Sequence, residues 1–331
     1  MTTPTMAATT SEKPSRNLGR FLQTPLLGSL IALIVAIIVF SAISPRFLAP
    51  GNLSLILQQS VVIGILAVAQ TLIILTAGID LSIGAIAVLG TVVLAQAGGA
   101  FGPATALLIT LLVCVALGAV NGGLVTALRL PPFIVTLGTF TAIVAGTRLF
   151  AGSQTFPVSD PVLTFLGTTF SIGGFTTTYG VITMLLVYAV MGYALTQTAW
   201  GRHVYAVGGN PNAAQLSGVK TNRTIFSVYI LAGVIAMIAA WAALGRIPNA
   251  DPNAYQNANL ETITAVVIGG TSLFGGRGGV LGTLVGTLIV GVLRNGLTLA
   301  GVDNLYQNIA TGALVIVAVA VDQFMRRKTA R

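Results

Sequence analysis

Asp80 is the only carboxylate between Glu12 and Asp160, and it interrupts an apolar passage, LTAGIDLSIGAIAVLG. An ionisable side chain among so many hydrocarbon neighbours is expensive, which makes it a functional candidate. Two chemistries are open to it. In GIDLSIG it can cap the helix that follows, accepting hydrogen bonds from Ser82 and the next N–H groups at the positive end of the helix dipole. Alternatively it binds a proton, a cation or a sugar hydroxyl in a pore. Gln58, Gln59, Gln70, Asn121, Thr136, Thr139 and Asn295 are further polar groups in apolar surroundings. They either line a polar path or hydrogen-bond helices to one another. Glu261 precedes TITAVVIGG, where an acid in the first helical turn favours the dipole.

Catalytic constellations are missing. The single His203 has no acid or nucleophile near it in sequence, and no G-x-x-x-x-G-K-[ST] occurs; GGRGGVLG lacks the lysine and hydroxyl that hold phosphate and Mg²⁺. The chain is therefore not read as an enzyme. Cys114, the one cysteine, lies in LLITLLVCVALG and reads as a small apolar residue, with no disulfide or metal site implied. A net charge of +9 raises the question of nucleic acid, but the bases sit singly at segment ends and no nucleic-acid module is present.

The elements that must position these residues are membrane helices. Of 331 residues 55% are hydrophobic and 7% charged, with a mean hydropathy of +0.93, against roughly a quarter charged in a soluble domain. The fold class is an all-α polytopic membrane protein. Ten spans fit the apolar blocks, at about 25–43, 54–76, 81–98, 103–128, 133–150, 177–199, 224–245, 262–276, 279–299 and 305–324. The 48 uncharged residues from Leu81 to Leu128 hold two of them, broken at AGGAFGP. Block 262–276 is short, either a partial span or one continuing across Arg277. The division is a disordered basic tail (1–24), one transmembrane domain (25–325) and a basic tail (326–331). The first apolar run is too long for a signal-peptide core and no A-x-A site closes it, so it reads as retained.

Ten spans with both termini inside put Lys13, Arg16, Arg20, Arg129, Arg202, Lys220, Arg223, Arg277, Arg326, Arg327, Lys328 and Arg331 in the cytoplasm. Only Arg46, Arg148, Arg246 and Arg294 fall outside, with Asp160, Asp251 and Asp303. That bias follows the positive-inside tendency, and one span more or fewer would reverse every later loop. The longest polar passage, 201–223 within a cytoplasmic loop 200–223, is basic and contains GGN, Pro211 and a helix-compatible AAQLSG. It is either a docking element for a soluble partner or a solvated connector. Ten glycines between Gly269 and Gly296, with small-xxx-small spacing at Gly275/Gly279 and Gly282/Gly286, read as close helix packing, with ligand cradling as the alternative. LGAVNGGLVTALRL and VGTLIVGVLRNGLTL look alike, as internal transporter repeats do.

Four stretches together resemble the permease subunits of bacterial ATP-binding-cassette sugar importers of the ribose type: LAVAQTLIILTAGIDLSIGAIAVLG at 66–90, NGGLVTALRLPPFIVTLGT at 121–139, GRHVYAVGGNPNAAQLSGV at 201–219, and LETITAVVIGGTSLFGGRGGVLGTLVGTLIVGVLRNGL at 260–297. The resemblance runs from about Asn52 to Asp322. It implies a ten-span importer fold in the bacterial inner (plasma) membrane, a second permease copy or related permease completing a dimer, and an ATPase with two cassettes in one chain. A periplasmic or lipid-anchored binding protein would deliver the monosaccharide, of ribose, xylose, fructose or galactose type. ATP and Mg²⁺ would be bound by the partner ATPase, and this chain would hold no cofactor and no metal. The resemblance assigns ATPase docking to Gly201, Arg202, His203, Gly208, Gly209, Asn210, Ala213, Ala214, Leu216, Ser217 and Gly218. Gln70, Asp80, Ser82, Asn121, Thr136, Thr139 and Glu261 remain candidates for the path or for helix breaks. Tight binding in a pore would slow release, so no deep specific sugar site is expected. The competing reading is a secondary transporter or facilitator for a small polar solute, coupled through Asp80; under it Asp80→Asn abolishes transport.

Overall fold

The computed structural model describes residues 25–329. The two tails predicted at 1–24 and 326–331 fall wholly (the first) or in part (330–331 of the second) outside these residues. The chain is helical: α1 (Pro25–Ile43), α2 (Pro50–Leu75), α3 (Ile83–Phe101), α4 (Pro103–Thr126), α5 (Pro132–Phe150), α6 (Tyr179–Gln197), α7 (Ala199–Gly209), α8 (Pro211–Leu216), α9 (Thr221–Arg246), α10 (Ala258–Ile268), α11 (Val280–Leu299) and α12 (Asn304–Thr329). Proline opens α2, α4, α5 and α8, where its missing N–H would be unpaired anyway. Among the described residues eight helices are long and apolar enough to cross a membrane, namely α1 to α6, α9 and α11.

Of the two readings of the eighth block, the structure takes the partial span. Residues 262–276 do not form a full helical span; α10 has 11 residues and runs about 16 Å, half of a ~30 Å hydrocarbon core. Gly270, Gly275, Gly276 and Gly278, all with positive φ, then carry the chain through a loop to α11. The small-xxx-small reading is correspondingly split. Gly282 and Gly286 do pack helices, since a Cβ on either would strike the Gly269 or Ala265 carbonyl. Gly275 belongs to the loop.

The bundle is built around α2, which is buried along most of its length and touches α6, α9, α10 and α11. α9 packs on α2, α3 and α4. Its crossing with α4 is backbone against backbone: a Cβ at Gly118 would meet the Tyr229 carbonyl, and one at Gly233 the Cys114 carbonyl. Close approach of this kind is how helices associate where hydrophobic burial gives no gain. α1 packs on α11 and leaves Ile31, Ile34, Val35 and Ile38 exposed, a lipid-type face.

One end of the bundle gathers the α2–α3 turn, the α4–α5 loop, α7–α8 and loop 269–279. Gly276 N–H donates to Leu75 O at 3.0 Å, and Asn222 Nδ2 donates to Thr126 O at 3.3 Å. The other end is covered by an insertion between α5 and α6 that the sequence reading left without structure. β1 (Phe156–Pro157) pairs with β4 (Asn249–Ala250), and β2 (Thr169–Ile172) with β3 (Phe175–Thr178). The second pair is a two-residue hairpin whose turn, Gly173–Gly174, has positive φ at both positions. That Gly-Gly between TFSI and FTTT was a readable hairpin signal.

Candidate functional site

Residues 199–218 form two helices rather than one connector. Thr198 caps α7, its side chain accepting from Gly201 N–H at 3.1 Å, and Asn210 caps α8, accepting from Ala213 N–H at 3.0 Å. The passage read as helix-compatible, AAQLSG, is helical as far as Leu216, in a helix that opens at Pro211. Val204, Val207, Gly201 and Gly208 are buried on the inner face of α7, while Arg202 and His203 are exposed. On α8 Ala214 is buried; Asn210, Ala213, Ser217 and Gly218 are exposed, and Leu216 is 91% exposed. Gly201, Gly208 and Ala214 therefore shape the element from within, and the remaining residues assigned to docking present a surface.

Glycine decides how α7 meets the core. A Cβ on Gly208 would fall on the Leu75 carbonyl and lie 2.7 Å from Gly276 N, whereas one on Gly209 would meet nothing within 4 Å. Gly275, φ 84°, packs against Ala77 and the Gly208 carbonyl, each 2.8 Å from its added Cβ. Tyr205 closes the contact by donating to Gly278 O at 2.9 Å. Burial raises its phenol above the ordinary range, so it keeps the proton that it donates. The end of α2, the glycine loop and α7 thus meet in one place. Tyr205, Leu75 and Gly276 were not singled out in the sequence, and Gly275 was read there for helix packing; only the glycine richness of 269–296 was visible.

Just beyond Leu75 lies Asp80, 1% exposed. Its Oδ1 accepts from Ser82 N–H at 2.6 Å and from Ser82 Oγ at 2.7 Å, and Ser82 Oγ accepts from Asn121 Nδ2 at 2.8 Å. Thr136 Oγ1 donates to Ile79 O and accepts from Leu81 N–H, both at 3.1 Å. Asp80, Ser82, Asn121 and Thr136 are thereby brought together from three segments, the α2–α3 turn, α4 and α5, around the start of α3. Three sequence candidates lie elsewhere. Thr139 bonds only to Thr136 O within its own helix, at 3.3 Å. Gln70 is fully buried in α2 and its amide has no hydrogen-bond partner. Glu261, in the first turn of α10, is bound by Arg294 Nη1 at 3.0 and 3.2 Å. Arg294 was the missed partner, and a lone cation inside a predicted span was its signal. Among the described residues no group of three or more His, Cys, Asp or Glu is placed to hold a metal ion.

The profile of a protein family described as the permease component of the branched-chain amino acid transport system matches residues 52–319. The chain belongs to this permease family. The permease is 46% identical over 315 residues to a fructose import permease protein of Rhizobium meliloti, covering 93% of this chain and 88% of the relative. It is 40% identical over 299 residues to a ribose import permease protein of Escherichia coli K12, covering 89% and 92%, and 35% identical over 305 residues to the D-allose transport system permease protein of the same organism, covering 91% and 92%. No solved structure matches it. The permease is a multi-pass inner-membrane protein.

Proposed function

We propose that the permease is the membrane subunit of an ATP-driven importer for a monosaccharide, working as a dimer with a separate two-cassette ATPase and a binding protein that delivers the sugar. ATP and Mg²⁺ belong to the ATPase. One observation carries this reading: α7 and α8 stand at one end of the bundle with Leu216 and Asn210 exposed, while their inner face is locked by glycine contacts to α2 and loop 269–279. A surface held so tightly to the core from behind transmits its displacement into the helices. The relatives' names support an imported sugar.

Ten crossings result when α10 with its loop counts as one passage and α12 as another. Both termini then lie on the α7–α8 side. The distribution of cations supports that orientation, because Arg129, Arg202, Lys220, Arg223 and Arg277 belong to segments at that end and Arg46, Arg148, Arg246 and Arg294 to the other. Closure of the ATPase pulls α7–α8, and the two permease copies rock to open the path to one side and then the other. A mild-detergent pulldown of the tagged permease from its native membranes tests this. Recovery of a cassette ATPase is expected; recovery of the permease alone, in a form that transports in liposomes without ATP, would overturn the reading.

A further inference from the structure

We infer that a cavity of about 490 Å³ at the end of the bundle away from α7–α8 is a monosaccharide subsite on the translocation path. The inference rests on the importer reading and adds a weak, shallow contact site for the passing sugar, where the sequence predicts no deep specific one.

Five helices and a loop build the cavity, α12 contributing only its first residue, Asn304. Gln59 comes from α2, Arg246 from the end of α9, Tyr255 and Gln256 from the loop before α10, Glu261 from α10 and Arg294 from α11. The volume lies in the range of small-ligand sites. α10 is a half-length helix whose first residue lines the cavity. Interrupted helices within a membrane domain are tolerated where they border a polar cavity, and transporters use them to form substrate sites.

The chemistry of the wall fits a neutral polyol. Arg294 and Glu261 hold one another, giving a fork of donors beside a carboxylate that accepts. Among the described residues Arg246 has no carboxylate within ion-pair distance, and the side-chain amides of Gln59 and Gln256 make no hydrogen bond. Vicinal hydroxyls each need one donor and one acceptor, which this set offers from several directions. Tyr255 adds an aromatic face for the apolar side of a sugar ring.

Tyr255 supplies an independent sign. Its φ is 52°, in a region that a bulky side chain rarely occupies. The loop enforces this conformation: Asp251 Oδ1 accepts from Asn253 N–H at 2.8 Å, Asp251 O accepts from Ala254 N–H at 3.0 Å, and Tyr255 O accepts from Ala258 N–H at 2.9 Å. Held there, Tyr255 lines both this cavity and a neighbouring one of about 300 Å³, and lies within electrostatic reach of Arg246, Arg294 and Glu261. Backbone strain of this kind persists where the surrounding structure requires a side chain in a given place.

The test uses the whole transporter, permease with its ATPase and binding protein, in liposomes with labelled D-fructose and labelled D-ribose as probes. Gln59→Ala and Gln256→Ala remove amides that no intramolecular bond uses, so folding is spared; Tyr255→Leu removes the ring. The expected result is a fall of about fivefold or more in sugar moved per ATP hydrolysed, with a changed fructose-to-ribose ratio, because a contact to the passing solute has been lost. An unchanged ratio and yield in all three variants would overturn the subsite while leaving the importer reading intact. Equal loss of uptake and hydrolysis would also overturn it, marking the residues as packing. If the unaltered transporter hydrolyses ATP and moves neither these two sugars nor labelled D-xylose, D-galactose or D-allose, the importer reading itself falls, and the subsite with it.

Discussion

At Gly208 a side chain has no room, because the Leu75 carbonyl and Gly276 N–H occupy the place of its Cβ. One residue on, Gly209 is exposed and its Cβ would meet open space. The pair separates fold from docking. Gly208→Ala is expected to cost about 1–3 kcal/mol by forcing α7 off the core, read as a lower thermal midpoint in detergent. Gly209→Trp is expected to leave that midpoint in place and to abolish uptake and coupled ATP hydrolysis; normal uptake would remove Gly209 from the docking surface. In sequence the two are one motif, GGN, and nothing local tells them apart. Asp80 was more legible. Its expected bonds to Ser82 are present, but Ser82 itself is the N-cap of α3, so Asp80 closes the turn before the helix in Asx-turn form. That Asn121 and Thr136 reach the same turn from α4 and α5 is a tertiary fact.

Helix α10 and its loop show where periodicity runs out as a guide. TITAVVIGGTSLFGG is apolar enough to look like a short span, yet the glycines permit positive φ and the helix stops at Ile268. Composition does not decide between a weak helix and a loop pinned by contacts to Leu75, Gly208 and Tyr205. Further along the element, the Glu261–Arg294 bond joins α10 to α11. Glu261 is 8% exposed, while the Arg294 side chain is 55% exposed. Removing the cation therefore costs more than neutralising the acid. Arg294→Met strands a buried carboxylate and is expected to lose about 1–3 kcal/mol, whereas Glu261→Gln keeps an acceptor for the guanidinium and loses less. Thermal unfolding of the two variants in detergent checks the order, and equal midpoints would sink it.

For the molecule as a whole, sidedness is the quantity to measure. Gln215 lies on exposed α8, and Ile172, 67% exposed, lies on the hairpin at the opposite end. Cys114 is buried and does not compete for reagent. A membrane-impermeant thiol reagent is expected to label Ile172→Cys in intact spheroplasts and Gln215→Cys only in inverted vesicles. The reverse pattern would invert the proposed orientation and put α7–α8 out of an ATPase's reach.

The sequence by itself determined the solvent of this protein and the order of its helices. A bilayer admits only long apolar runs with their backbone bonds satisfied internally, and those runs, with their end charges and breaks at Gly and Pro, can be read residue by residue. The family, too, was legible, because its marks are short contiguous strings such as GIDLSIG and IGGTSLFGGRG. Only the tertiary structure decided that these strings lie close to each other and to GGN, that Glu261 faces Arg294, and that Tyr255 turns into a cavity. The reason is physical. Helix formation depends on neighbours three and four places away, whereas each of these meetings joins residues far apart in the chain, through backbone contacts that glycine permits and that no local pattern records.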